Sequence, residues 1–320
     1  MIYITRTHLP SLKNYNKYLK RIWESNWLTN DGELVKELEE NLKAYWKVKN
    51  VVCVSSGTAA LLVALKALNI TRKIYVSPNS FVSTVSAPLF LGIKPKFYDL
   101  DEDPKNPAIV THLYGIPQIV KIKPVIYDAS HAFPVKYKGK FLVSYGDISI
   151  VSFHAVKIFQ TGEGGAVITN NDKLAEKARL IRNFGWDGRY IIKGIGVNFK
   201  MSEFHAAMGL CNLPKINRIF EKYNKIASIY NKYLGYNHKD MTYYPVWYSS
   251  EEKLLKAVKR FEENGISPRR YFYPPLNKIF GGKRCPIAEN YMSRVLCFPF
   301  YYDLKNDEIQ KIIKIYEETR

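Results

Sequence analysis

Between residues 51 and 169, short apolar runs alternate with helical patterns. This alternation limits what the 320-residue chain can fold into more than any other feature. The runs at 51–54, 74–76, 96–98, 109–111, 125–127, 148–153 and 166–169 are short and mostly β-branched or aromatic, and turn residues close them. Helical patterns separate some of them, including the almost wholly apolar AALLVALKAL from Ala59 and the segment 80–91. Strands alternating with helices predict an α/β domain with a mainly parallel sheet. Leu34, Leu38 and Leu42 recur every four positions, so the first fifty residues read as helices.

After residue 213 the pattern changes. Pro214 opens a helix over 215–234, with Ile216, Ile219, Phe220, Tyr223 and Ile226 on one face. A strand at 241–244, a helix over 251–264 ended by Gly265 and a last helix over 305–318 follow. The predicted division is a large α/β domain over 1–214 and a smaller α+β domain over 215–320.

Charge and cysteine content narrow the function. Lys and Arg number 48 against 29 Asp and Glu, a net +19. These cations are scattered, and the densest spots, 136–140 and 269–270, are short. The pattern predicts a solvated basic surface rather than a nucleic-acid-binding arm, and it is compatible with a small polyanionic substrate. The longest apolar stretch, 59–68, is broken by Lys66 and too short for a bilayer, and no signal-peptide pattern is seen at the N-terminus. The four cysteines form neither a CxxC pair nor a metal-ligand spacing, which predicts no metal and a reducing compartment, the cytoplasm.

Three constellations carry chemistry. Ser55-Ser56-Gly57-Thr58, between a strand and a helix, offers free backbone N–H groups at the positive end of a helix, where a phosphate binds. It would also serve as an ordinary helix cap. Asp128, at the end of the run 125–127, stands where ligands bind in open α/β sheets, and His131 follows closely. Lys157 sits in the mostly apolar segment IVSFHAVK, followed by TGEGG. A partly buried lysine sheds its proton more readily and attacks carbonyls. With the aromatic Phe81 between the first and second, the set includes what pyridoxal phosphate needs: a lysine for the covalent bond, an acid for the ring nitrogen and helix-end donors for the phosphate.

The ordered motifs WLTNDG (27–32), SSGTAAL (55–61), SPNSFVST (77–84), THLYG (111–115), YDASHAF (127–133), SFHAVKIFQTGEGGAVITN (152–170) and NFKMSEFHAAMGLCNL (198–213) resemble the DegT/DnrJ/EryC1/StrS sugar aminotransferases over nearly the whole chain. Within that family the segments SFHAVK (152–157), KMSEFHAAMGLCNL (200–213), ISPRRYFYPPL (266–276) and SRVLCFPFYYDL (293–304) make the chain most similar to viosamine-type enzymes, which aminate a nucleotide-linked 4-keto-6-deoxy sugar. The resemblance implies the aspartate-aminotransferase-like fold (type I of the pyridoxal phosphate enzymes), pyridoxal phosphate as cofactor, L-glutamate as donor and a homodimer with shared sites. It implies that Lys157 holds the cofactor covalently and shuttles the proton, and that Asp128 pairs with the pyridine nitrogen. Phe81 would stack on one ring face, and His131 would lie near the ring hydroxyl or the other face. Gly57, Thr58 and Ser152 would hold the phosphate, and Asn198 would reach the partner subunit's cofactor. Thr29, Asn30, Trp186, Arg269, Arg270 and Tyr301 are candidates for the nucleotide-sugar side.

The chain departs from the family pattern in four places. It is shorter between Asp101 and Ala108 and between Gly115 and Pro124. It lacks the usual proline before the lysine and carries Lys200 where arginine is usual. Two other readings stand beside C4 amination. One is amination at C3 of a 3-keto sugar. The other is a non-catalytic sensor or nucleic-acid-binding protein that keeps the fold, though such a relative would be expected to have lost Lys157 or Asp128.

Overall fold

The chain opens with a two-residue strand, β1 (Ile2–Tyr3), and two helices, α1 (Leu12–Ser25) and α2 (Glu33–Trp46). β2 (Asn50–Val54) runs into α3 (Gly57–Ala67), and β3 (Lys73–Val76) is followed by α4 (Ser83–Phe90). Next come β4 (Lys94–Phe97), β5 (Ala108–Thr111) and β6 (Val125–Asp128), then a hairpin of β7 (Lys136–Tyr137) and β8 (Lys140–Phe141). β9 (Ile148–Ser152) and β10 (Gly165–Thr169) precede α5 (Asp172–Arg182) and α6 (Glu203–Asn212). These elements belong to a computed structural model that describes residues 1–189 and 191–320.

The central sheet has the order β2-β10-β9-β6-β5-β3-β4. β10 is antiparallel to both its neighbours, and the other adjacent pairs are parallel. Six strands therefore end on one rim, so the loops after β2, β3, β5, β6 and β9 converge. Open α/β sheets bind ligands on that rim. The strands are apolar on both faces because helices cover both. Val52, Ile109, Ile126 and Ile150 join α3 in one core cluster, while Val51, Val151 and Ile168 join α2 and α6 in another. Ser56 caps α3 by accepting the Ala59 N–H at 3.0 Å.

The remainder comprises α7 (Ile216–Leu234), β11 (Tyr244–Trp247), α8 (Glu251–Glu263), β12 (Ile266–Ser267), α9 (Leu276–Phe280), α10 (Pro286–Arg294), β13 (Val295–Phe298) and α11 (Asn306–Thr319). α7 buries Ile219, Tyr223, Ile226, Tyr230 and Leu234 at helical spacing and stops at Gly235, whose φ of 74° suits a glycine. With residues from α8 and α11 these side chains form a separate core.

Two local expectations shift. The strand expected at 241–244 lies at Tyr244–Trp247, paired antiparallel with β13. The preceding residues are drawn toward the large sheet: Thr242 donates its N–H to the Tyr114 carbonyl at 3.0 Å and its hydroxyl to the His131 carbonyl at 2.6 Å. The first fifty residues are not all helical, because β1 pairs in parallel with β12. Two residues bonded to a distant strand leave no periodic signal. Among the described residues, no helix is long and apolar enough to cross a membrane.

Candidate active site

The converging loops enclose a cavity of about 290 Å³ lined by Gly57, Thr58, Phe81, Asp128, His131, Ser152 and Lys157, seven of the residues singled out from sequence. They come from five separate segments that the sheet brings to one rim. Gly57 and Thr58 begin α3, Phe81 precedes α4, Asp128 ends β6, Ser152 ends β9, and Lys157 lies on the loop after β9.

The floor of the cavity is buried and charged. Asp128 is 5% exposed and accepts the Ser130 N–H at 3.0 Å. Burial raises its pKa, opposed by the bonding to Ser130 and by Lys157. Burial lowers the Lys157 pKa from 10.5 to about 8, with Asp128 pulling it back up. Lysine and aspartate therefore feel each other across the floor. The Lys157 ammonium nitrogen also lies 5.7 Å from the centre of the Tyr243 ring.

His131 is held neutral, its pKa pushed well below the usual histidine value by burial and then by Lys157. Its Nδ1 accepts the Tyr114 N–H at 3.3 Å, which leaves the proton on Nε2. Its ring packs 4.3 Å from Tyr243 and 5.7 Å from Phe272. Phe81 is 51% exposed and lies 5.5 Å from Phe272, leaving much of its ring bare.

Sequence reasoning missed Thr111, Tyr243, Tyr271, Phe272 and Glu163 among the lining residues. Tyr243, Tyr271 and Phe272 come from the C-terminal third; Tyr271 and Phe272 stand in the segment ISPRRYFYPPL, which shares the viosamine-type resemblance, but that resemblance assigns them no role. Glu163 stands inside the quoted TGEGG. Its carboxylate lies 3.5 Å from Nε2 of His154, and the Val156 N–H points at His154 Nδ1 from 3.4 Å.

The other candidates lie elsewhere in this chain. Asn30 and Trp186 line a second cavity with Trp27, Asp31, Lys36 and Asn183. Thr29 and Asn198 are exposed and do not line the lysine cavity. Arg269 is exposed, its backbone bridged to Cys297. Arg270 is bound to Glu251 and the Ser293 carbonyl, both within 2.8 Å, and covers the Tyr273 ring at 3.4 Å. Tyr301 is buried in the C-terminal core. The two shortened segments supply much of a third cavity of about 300 Å³, through Glu102, Asp103, Pro104, Gln118, Ile119 and Val120. Thr111 lines both it and the lysine cavity. All four cysteines are buried thiols.

The chain is similar to known proteins along nearly its whole length. The sequence model of the DegT/DnrJ/EryC1/StrS aminotransferase family matches residues 11–112 and 106–317. A dTDP-4-amino-4,6-dideoxy-D-glucose transaminase of Shigella dysenteriae is 30% identical over 364 aligned positions, covering 100% of this chain and 99% of its own. An Escherichia coli protein of the same name is 32% identical, covering 98% of this chain and 97% of its own. The fold is shared with DesI, whose crystal structure was determined in the presence of its TDP-sugar product. That match has a TM-score of 0.91 at 24% identity, covering 99% of this chain and 92% of DesI.

Proposed function

This chain belongs to the DegT/DnrJ/EryC1/StrS aminotransferase family, whose members depend on pyridoxal phosphate, and on that premise we propose that it aminates a nucleotide-linked 4-keto-6-deoxyhexose with L-glutamate as donor. The observation that carries the reading is a shared cavity. A lysine with a lowered pKa and a buried carboxylate face the same space at the N-terminus of α3. The names of the two transaminase relatives support the 4-amino-4,6-dideoxy product.

The residues present fit the cofactor. At the phosphate end, Gly57 packs so closely on Ser152 that an added Cβ would lie 2.8 Å from the Ser152 Cβ. The α3 N-terminus there, one of whose N–H groups is taken by the Ser56 cap, suits an anion. At the ring end, Asp128 is a buried carboxylate that a protonated ring nitrogen would neutralise. Phe81 offers an open ring face between them. When bound, pyridoxal phosphate supplies an electron sink for the carbon that loses its proton.

Each side chain then has a task. The Lys157 amine would hold the cofactor covalently and, once released from it, would stand free in the cavity. With a pKa near 8, the free amine is a competent base close to neutral pH. It would take the proton from the donor carbon and hold it for return. In the second half-reaction the same amine would move a proton at the sugar carbon. L-glutamate leaves as 2-oxoglutarate, and its nitrogen ends on the sugar. Asp128 would pair with the ring nitrogen, and His131 is neutral with its proton on Nε2. Tyr243, Tyr271 and Phe272 wall the site against water, which strengthens every charge interaction inside.

The active unit is a homodimer, with Asn198 reaching the neighbouring copy's cofactor. Asn198 lies in an exposed segment with Ile192 and Ile195, which are 69% and 82% exposed and suited to burial against a second copy. The enzyme works in the cytoplasm, where its thiols stay reduced.

The test is an assay of purified protein with L-glutamate and a panel of 3-keto and 4-keto nucleotide sugars. Formation of 2-oxoglutarate with 4-keto-6-deoxy acceptors alone is the expected result. Turnover of only 3-keto sugars would move the reaction to C3.

A further inference from the structure

The N-terminal segment does more than lead into α1. β1 pairs with β12, and the Ile4 carbonyl accepts the Phe300 N–H at 3.0 Å. The Ile4 side chain is buried with Tyr114, Tyr243 and Cys297. Arg6 lies 3.4 Å from Asp303, and the His8 ring meets Tyr302 edge-on at 4.8 Å. Up to this point the segment is fastened to the C-terminal unit.

The same segment then grips the loop that carries Lys157. The Thr7 hydroxyl donates to the Ala155 carbonyl at 2.9 Å. The Gln160 side-chain amide donates to the His8 carbonyl, also at 2.9 Å. These bonds fall on either side of Lys157, two residues before it and three after it. Gln160 is 3% exposed and fully used: its side-chain oxygen accepts the Gly162 N–H at 2.6 Å, and its carbonyl accepts from the Asn212 amide at 3.0 Å. The loop has little regular structure of its own, closing through a turn from the Lys157 N–H to the His154 carbonyl and a bridge between His154 and Gly162.

We propose that residues 4–10 form a strap that positions Lys157, with Thr7 and Gln160 as its pins, and that it ties the placement of the reacting amine to the C-terminal unit. The proposal rests on the reading that Lys157 is the reacting amine. Its physical basis is simple. A lysine stem has four rotatable carbons, so its amine is placed only as well as the backbone beneath it. A displacement of about 1 Å at a reacting group is enough to cost about 10²-fold in rate. Two bonds flanking the lysine remove that freedom while leaving the stem free to swing. Thr7 and Gln160 do not line the cavity, so they are positioning residues.

The test uses Thr7→Val, which keeps shape and removes the donor, Thr7→Ser, which restores it, and Gln160→Leu as an independent variant. Cofactor-free protein is mixed with pyridoxal phosphate. The visible band is followed in time, and borohydride reduction with mass spectrometry reads attachment at Lys157. Hydrogen exchange reports the amides of 154–162, and the loaded enzyme gives kcat and KM separately. Thr7→Val should slow attachment and lower kcat by about threefold to tenfold, the scale of one lost hydrogen bond, with KM unchanged. Exchange over 154–162 should quicken, and Thr7→Ser should return all three readings to near wild type. Thr7→Val and Gln160→Leu proteins that attach cofactor at the wild-type rate with wild-type exchange would overturn the proposal. So would variants that only melt earlier. Attachment and exchange need no keto sugar, so they decide the role of the strap whatever the acceptor proves to be.

Discussion

Glu203 on α6 caps a helix to which it does not belong: its two carboxylate oxygens accept the N–H groups of Leu34 and Val35, at 2.8 and 2.9 Å, in the first turn of α2. The residue before α2 is Gly32, which has no side chain to cap it. The charge also sits at the positive end of the helix, where it is most favourable. Glu203 is 2% exposed, so water cannot replace it. Glu203→Ala should therefore destabilise the protein by about 1–3 kcal/mol for the buried donors left bare. Urea unfolding of cofactor-free protein measures this, and a change under about 0.5 kcal/mol would refute the cap.

Arg182, at the end of α5, is 1% exposed and bound to Glu39 and Asp31, each at 2.7 Å, and to the Cys53 carbonyl. Glu39 also accepts the Cys53 N–H and an Arg179 guanidinium N–H. The network fastens α2 and α5 to β2, just before the turn that starts α3. Glu39→Leu leaves a buried guanidinium with one partner fewer and should cost about 3–5 kcal/mol. Thermal unfolding would register it as a large drop in midpoint, and an unchanged midpoint would contradict the assignment.

Gly57→Ala should weaken cofactor binding more than it weakens the fold. The new methyl would meet the Ser152 Cβ at 2.8 Å and its Cα at 3.2 Å, and backbone cannot swing aside. Overpacking of this kind costs about 1–3 kcal/mol, here at the wall expected to face phosphate. Titration of apoprotein with pyridoxal phosphate should show the loss, while free inorganic phosphate protects the variant less than the wild type.

Lys157 should react with amine-directed reagents with a midpoint near pH 8 in cofactor-free protein, since burial lowers it from 10.5. Asp128 raises that value, so Asp128→Asn should move the midpoint lower still. Rate of labelling against pH, read by mass spectrometry at position 157, checks both. A midpoint above 10 in either protein would show that the amine is in water.

Replacing Lys157 with alanine removes both the anchor and the base. Turnover should fall by at least the 10²–10⁴-fold that a positioned acid–base group supplies, and borohydride should fix no cofactor at that position. Wild-type turnover in Lys157→Ala protein would end the proposed mechanism.

The large sheet was legible because its strands are short apolar runs between turns, and burial on both faces imposes that pattern. Asp128, Lys157 and Gly57 were legible for a related reason. Each stands at or just beyond the end of a strand, where the chain must turn and where the rim of the sheet gathers ligands. Tyr243 was not, since an aromatic residue in a tyrosine-rich chain reads as core, and Tyr271 and Phe272 stand in a segment that carries the resemblance without any role following from it. The strand expected at 241–244 slid to Tyr244–Trp247 because Thr242 is bound to Tyr114 and His131, partners remote in the chain.

Sequence alone determined the kind of chemistry. Residue types at the ends of strands follow from local pattern, and local pattern is written along the chain. Tertiary structure decided what surrounds that chemistry: which aromatic residues wall the lysine, that Arg270 spends its charge on Glu251 within the fold, and that an N-terminal strap holds the lysine loop. Those outcomes depend on contacts between distant segments, and closing such contacts is a property of the folded packing that no stretch of sequence contains by itself.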